Sequence, residues 1–91
     1  MYDIELEGKV FSDLAKLSAE ISARIKQKVF HILAIDPRGS NCAPLKGKKY
    51  AKVWRYKAVK DYRVFYEINE TTKTITIARI KHRSEAYREK A

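Results

Sequence analysis

The sequence predicts an α+β fold, in which a hairpin of two helices packs on an antiparallel sheet of about four strands, in the order β-α-α-β-β-β. Three observations support this class. An alternating segment opens the chain, two helical stripes of apolar residues follow it, and three segments rich in β-branched and aromatic residues occupy the second half. Because a chain of 91 residues closes a single hydrophobic core, we expect residues 1–91 to form one domain.

The first half contains the first strand and both helices. Residues 2–7 alternate between apolar and acidic side chains, which is typical of a half-buried strand. Gly8 ends that pattern, and Ser18 is a candidate N-cap for the second of two amphipathic helices. The apolar stripe of the first helix consists of Val10, Phe11, Leu14 and Leu17, and that of the second of Ile21, Ile25, Val29 and Ile32 or Leu33.

The second half predicts three strands after a connector. Residues 36–49 contain both prolines and have no hydrophobic period, so they are read as irregular. Strands are expected at residues 51–58, 62–69 and 74–80. The joints between them are short, which favours hairpins and an antiparallel meander.

Positive charge is concentrated in the second half. Residues 1–45 contain six basic and six acidic side chains, whereas residues 46–91 contain fourteen basic and five acidic ones, so the whole net charge of +9 lies there. Such an imbalance indicates a contact surface for a polyanion, of which nucleic acid is the usual one. A merely solvated basic face is the alternative from charge alone.

Strand alternation groups the candidate site residues. Arg55 and Lys57 share one face of their strand, and pairing with the next strands is expected to bring Arg63 and residues 81–83 to the same surface. The basic residues expected to contact RNA more generally are Lys46, Lys48, Lys49, Lys52 and Arg79. The aromatic residues of these strands are read first as packing and only second as a platform for bases.

Motifs for other chemistries are missing from the sequence. The acidic residues of the basic half are scattered, which disfavours a two-metal nuclease, and the chain has no zinc spacing, phosphate loop or nucleophile elbow. We therefore expect no metal and no cofactor. A surface of fixed cations could instead stabilise the charge that develops on a phosphate during attack by an RNA 2′-hydroxyl group.

Three segments, taken in order, resemble the RelE/ParE toxin superfamily: LKG at residues 45–47, WRYKAVKDYRVFYEI at residues 54–68, and IKHRSEAYR at residues 80–88. RelE-like members cleave messenger RNA in the ribosomal A site. The resemblance implies that Arg63 and Arg83 hold the scissile phosphate and that Tyr87 stacks on a base or orients the nucleophile. It assigns Lys81 to the same basic group, and it leaves Lys57, Arg55 and His82 as alternative proton acceptors.

The resemblance also implies partners and alternatives. A RelE-like toxin has a RelB-like antitoxin, with which it can form a heterotetramer, and it acts on the ribosome and messenger RNA. A ParE-like toxin with the same fold would inhibit DNA gyrase without cleaving RNA, and charge alone would suit a non-catalytic RNA-binding module. The sequence also bears on location. Residues 29–35 form the longest nearly apolar run, which is too short to cross a bilayer. The first residues lack the apolar run of a signal peptide, and the single Cys42 makes no internal disulfide. A cytoplasmic protein without membrane contact is therefore expected.

Overall fold

The computed structural model describes residues 1–45 and 52–86. Its strands are β1 (Asp3–Leu6), β2 (Cys42–Pro44), β3 (Val53–Lys57), β4 (Tyr62–Asn69) and β5 (Thr74–His82), and its α-helices are α1 (Gly8–Ala15), α2 (Ala19–Arg24), α3 (Phe30–Ile35) and α4 (Arg83–Ala86). A π-helical segment, Ile25–Val29, joins α2 to α3. The α+β class and the three-strand meander are confirmed.

The five strands form one sheet in the order β1-β5-β4-β3-β2. The expected sheet was antiparallel with about four strands, and it differs in two ways. β1 runs parallel to β5, because the helices carry the chain back across the sheet before the meander begins. β2 lies in the connector and pairs with β3. It was not predicted, because its three residues, one of them a proline, are too few to show the alternation of a strand.

The helix boundaries follow from local sequence. Ser18 caps α2 as expected, because its Oγ accepts the backbone N–H of Ile21 at 3.2 Å. The π-helical turn that follows widens the helix, so that Ile25, Val29 and Leu33, four residues apart, all stay buried. An α-helix would rotate a four-residue stripe gradually away from the sheet. Phe11 is 60% exposed, so its expected place in the first stripe is wrong.

The core lies between the helices and one face of the sheet. Val10 and Leu33 from the helices pack with Val64, Tyr66 and Ile77 from the strands. The Tyr66 hydroxyl donates to the carbonyl oxygen of Pro37 at 2.6 Å, and burial raises the pKa of this phenol. The connector is thereby fixed to the middle of the sheet.

One irregularity in the sheet matters for the site. Val64 pairs with Ile80 and Phe65 with Arg79, but Tyr66 pairs with Ile77, so β5 contains an additional residue at this point. This is a β-bulge, which changes the side of the sheet on which later side chains lie.

Candidate active site

Three basic residues lie side by side across three neighbouring strands. Arg63 on β4 is the Cα partner of Lys57 on β3 and of Lys81 on β5. We call these three residues the cation row. Directly opposed residues share a face, and their chain neighbours Tyr56, Val64 and Ile80 belong to the core under the helices. The cation row therefore lies on the face that is turned away from the helices.

Arg63 occupies the centre of the cation row and is only 8% exposed. Its Nη1 donates to the Tyr62 carbonyl oxygen at a long 3.5 Å. Among the described residues its Nε is a buried nitrogen without a hydrogen-bond partner. A buried donor that lacks an acceptor is costly, and a guanidinium group is well shaped to bind an oxyanion.

The neighbouring positions on this face add charge and an apolar floor. Arg55 is the partner of Phe65, two residues from the Lys57 and Arg63 pair. Arg55 is half-buried and Phe65 is 9% exposed, whereas Lys57 is exposed. The structure thus places Arg55, Lys57, Arg63 and Lys81 on one surface, as strand pairing was expected to do.

Residues 81–83 do not all reach this surface. Lys81 is 9% exposed within the cation row, and Arg83 is exposed at the first position of α4. His82 lies on the other side of the strand, where its ring meets the ring of Tyr62 edge-on at 5.2 Å between centroids. Its Nδ1 accepts the backbone N–H of Ser84 at 3.2 Å.

Arg79 makes an internal contact. Its Nε donates to Asp13 Oδ2 at 2.9 Å and its Nη2 to Asp13 Oδ1 at 3.1 Å, so the guanidinium group is committed to a carboxylate on α1. We predicted an RNA contact for this residue from its charge alone. The contact lies just beyond the point where β1 ends its pairing with β5, and nothing in the sequence indicates it.

Several predicted site residues fall outside the described part of the chain. Tyr87 and three of the four lysines expected to contact RNA, Lys46, Lys48 and Lys49, are among them. The fourth, Lys52, is exposed just before β3. The described part of the candidate site therefore consists of the cation row with Arg55 beside it, and Arg83 follows at the start of α4.

Sequence reasoning missed Asp13. This residue is 6% exposed, and Oδ2 also accepts the backbone N–H of Ile80 at 2.9 Å. Burial opposes ionisation, but the hydrogen bonds from Arg79 and Ile80 outweigh it and lower the pKa of the carboxyl group. The available signal was an acidic residue directly before Leu14, within the apolar stripe of the first helix.

Two further features concern cofactors and membranes. Within residues 1–45 and 52–86, no three His, Cys, Asp or Glu side chains lie close enough together to hold a metal ion. No described helix combines the length and the apolar character needed to span a membrane.

Comparisons with known proteins identify the family. Residues 4–87 match the family model described as the ParE toxin of type II toxin–antitoxin systems, parDE. A sequence comparison with curated proteins gives no match.

Solved structures show the same fold. The toxin–antitoxin complex RelBE2 from Mycobacterium tuberculosis contains a chain with 27% identity and a TM-score of 0.80, over 90% of this chain and 98% of that one. The archaeal RelE–RelB complex from Pyrococcus horikoshii OT3 contains a chain with 26% identity and a TM-score of 0.73, and the match covers 93% of this chain and 98% of that one. The isolated RelE toxin of E. coli is 19% identical with a TM-score of 0.72, over 96% and 92%, which supports the fold alone.

The family model covers nearly the whole chain, and the structural relatives share its fold. Both agree with the three sequence segments that carry the resemblance. The chain belongs to the ParE toxin family of type II toxin–antitoxin systems, within the RelE/ParE superfamily.

Proposed function

We propose that this toxin is an endoribonuclease that cleaves messenger RNA in the ribosomal A site and so inhibits translation. In this reaction the 2′-hydroxyl oxygen attacks the adjacent phosphorus, and the 5′-oxygen of the next nucleotide leaves with a proton. The products are a 2′,3′-cyclic phosphate and a 5′-hydroxyl end. No metal ion is required, because fixed cations of the protein stabilise the phosphate charge.

The observation that carries the proposal is the buried Arg63 guanidinium group between two lysines. Like charges on adjacent strands repel each other, and the burial of Arg63 leaves Nε without an acceptor in the described residues. A phosphate oxygen would supply that acceptor and relieve the repulsion. This gain is greatest when the phosphate carries its additional transition-state charge.

Each residue then has a role in the proposal. Arg63 and Arg83 hold the scissile phosphate, and Lys81 adds charge beside Arg63. Lys57, which is exposed beside Arg63, is a proton acceptor, and Arg55 is the alternative. Tyr87 stacks on a base or orients the 2′-hydroxyl group. His82 is the weakest acid–base candidate, because its ring lies with Tyr62 on the other side of β5.

The proposal includes a partner and a location. The relatives from M. tuberculosis and P. horikoshii are toxin–antitoxin complexes. We infer that this chain has a RelB-like antitoxin and assembles with it as a heterotetramer. An acidic surface of the antitoxin covers the cation row. The toxin acts on ribosomes in the cytoplasm when the antitoxin is removed.

The test compares RNA ends on translating ribosomes. The wild-type toxin should produce 2′,3′-cyclic phosphate ends within codons in the A site, and Arg63→Ala should lower the cleavage rate by about 100-fold, as expected for loss of one group that stabilises the transition state. Lys28→Ala, at an exposed position of the π-helical segment, is the matched control and should cleave normally. Intact message with the wild-type toxin, or 5′-phosphate ends from a hydrolytic cut, would refute the proposal.

Inhibition of DNA gyrase is the second candidate function, and the match to the ParE family model favours it. In that case purified gyrase should bind the toxin and accumulate cleaved DNA, whereas translating ribosomes should keep intact messages. Arg63→Ala would then affect gyrase inhibition no more than Lys28→Ala does. The two assays run on the same preparation separate the candidates.

A further inference from the structure

A single carboxylate on α1 holds the irregular part of β5. Asp13 is nearly inaccessible to solvent and accepts three hydrogen bonds, one from the Ile80 backbone N–H and two from the Arg79 side chain. The described part of β1 ends its pairing with β5 at Ile77. Asp13 therefore satisfies a backbone donor just beyond the end of the parallel strand pair.

The bulge determines which side chains of β5 face which side. Ile75 and Ile77 lie in the core, and strict alternation would place residues 79 and 81 there as well. The additional residue changes the phase, so that Ile80 enters the core and Lys81 turns to the opposite face. Lys81 consequently meets Arg63.

An unbulged strand would have a different register. Continuing from the pair of Tyr66 and Ile77, Arg63 would lie opposite Ile80, and Lys81 would lie on the helix side opposite Tyr62. The cation row would then lose one of its three members. The hydrogen bonds to Asp13 are made by Arg79 and Ile80, the two residues that follow the bulge, and they oppose this slip.

We infer that Asp13 is a positioning residue for the reaction: it holds the bulge in β5 and thereby keeps Lys81 beside Arg63 on the cation face. The effect on RNA cleavage rests on the proposed function. The effect on strand register does not, because it follows from the hydrogen bonds and pairing alone. The two can therefore be tested separately.

Disulfide trapping measures the register without any activity. In a Cys42→Ser background, Arg63→Cys with Lys81→Cys should form an intramolecular disulfide on oxidation, because directly opposed residues of paired strands have suitable geometry. Adding Asp13→Ala should remove most of this cross-link. Adding Asp13→Asn should preserve much of it, since the amide oxygen still accepts the Ile80 N–H.

The control pair lies at the other end of the same strands. Glu67→Cys with Thr76→Cys, which are also Cα partners, should cross-link equally with Asp13 and with Asp13→Ala. Loss of both cross-links would mean that Asp13→Ala has unfolded the domain. The yield of the cross-link between positions 63 and 81 is then compared in the milder variants Asp13→Asn and Arg79→Met. An unchanged cross-link between positions 63 and 81 in every folded variant would overturn the inference.

Kinetics test the functional consequence. In otherwise unmodified toxin, Asp13→Ala should lower kcat for message cleavage by about 100-fold with a much smaller change in KM, as expected for a misplaced catalytic group. Asp13→Asn should restore part of kcat. A variant that only lowers the folded fraction would instead retain the kcat of its folded molecules. If the cross-link depends on Asp13 but wild-type toxin cuts no RNA, the positioning role stands and the proposed function fails.

Discussion

Arg63 and Lys81 are direct cross-strand partners on β4 and β5, and both are more than nine-tenths buried although they carry the same charge. A pair of this kind destabilises a sheet. A phosphate bound at this place, as the proposed function requires, would offset the repulsion between the two side chains.

The first prediction is that neutralising Arg63 stabilises the protein. Arg63→Met fills similar space, removes a buried donor that has no acceptor within residues 1–45 and 52–86, and ends the repulsion with Lys57 and Lys81. We expect the free energy of unfolding to rise by about 1–2 kcal/mol. Urea denaturation would measure it, with Lys28→Met as the control, expected within about 0.5 kcal/mol of wild type. A lower urea midpoint for Arg63→Met would argue against an electrostatic cost at this site.

The second prediction concerns the ion pair between α1 and β5. Arg79→Met leaves the buried Asp13 carboxylate with the Ile80 N–H as its one hydrogen-bond donor among the described residues. We expect the free energy of unfolding to fall by about 2 kcal/mol, moderated because the Arg79 side chain is 33% exposed. In a double-mutant cycle with Asp13→Asn, the coupling energy should be about 1–2 kcal/mol. Additive effects of the two substitutions would show that the pair contributes nothing beyond its separate parts.

The third prediction is a pH dependence from Glu70. Hydrogen bonds from Lys73, Arg38 and Tyr2 lower the pKa of this exposed carboxyl group from 4.5 to about 2. A carboxyl group whose pKa is lower in the folded than in the unfolded protein stabilises the fold at every pH above its unfolded pKa. This contribution is lost as the pH falls from about 4.5 towards 2. Solvent and salt screen these contacts, so the contribution should shrink at high ionic strength.

Denaturation curves in this acid range, for wild type and Glu70→Gln, would measure the effect. The variant should lose less stability on acidification, and the slope that remains should include Asp13, whose pKa is also lowered. Equal slopes for the two proteins would contradict an ion-pair role for Glu70.

The fourth prediction concerns the turn between β3 and β4. Lys60 has φ 56° and ψ 39°, and Asp61 has φ 65°, so two consecutive non-glycine residues are left-handed. Lys60→Gly should therefore stabilise the protein by about 0.5–1 kcal/mol, as relief of this strain outweighs the additional freedom of glycine in the unfolded chain. Val59→Gly in the same turn, where φ is not positive, should destabilise it. Thermal unfolding of the two variants would distinguish these signs.

Much of the fold could be predicted because it follows from local patterns. The Ser18 cap and the β-rich segment of β4 were readable directly, and the residue range predicted for β4 matches Tyr62–Asn69. β2 could not be predicted, since Cys42–Pro44 becomes a strand only through its pairing with β3. The parallel pairing of β1 with β5 is likewise a tertiary contact between the two ends of the chain.

The candidate site was predictable only where strands alternate regularly. Arg55, Lys57 and Arg63 lie together because β3 and β4 pair without interruption between them. His82 departs from the expected surface because it is the chain neighbour of Lys81 and side chains alternate along a strand. Arg79 departs because its guanidinium group binds Asp13 beyond the end of β1. Asp13 was missed because a buried carboxylate in an amphipathic helix has meaning only once its partner strand is known.

The extra residue in β5 also has a consequence for changes in chain length. Adding one residue near Ala78 would keep the composition and charge of the strand nearly intact, yet it would exchange the two faces of the strand from that point to its end. Ile80 would then lie opposite Arg63, where Lys81 lies now, and Lys81 would point towards the helices. For this toxin, the gain of a single codon in the last strand is therefore more severe than most substitutions in the same segment.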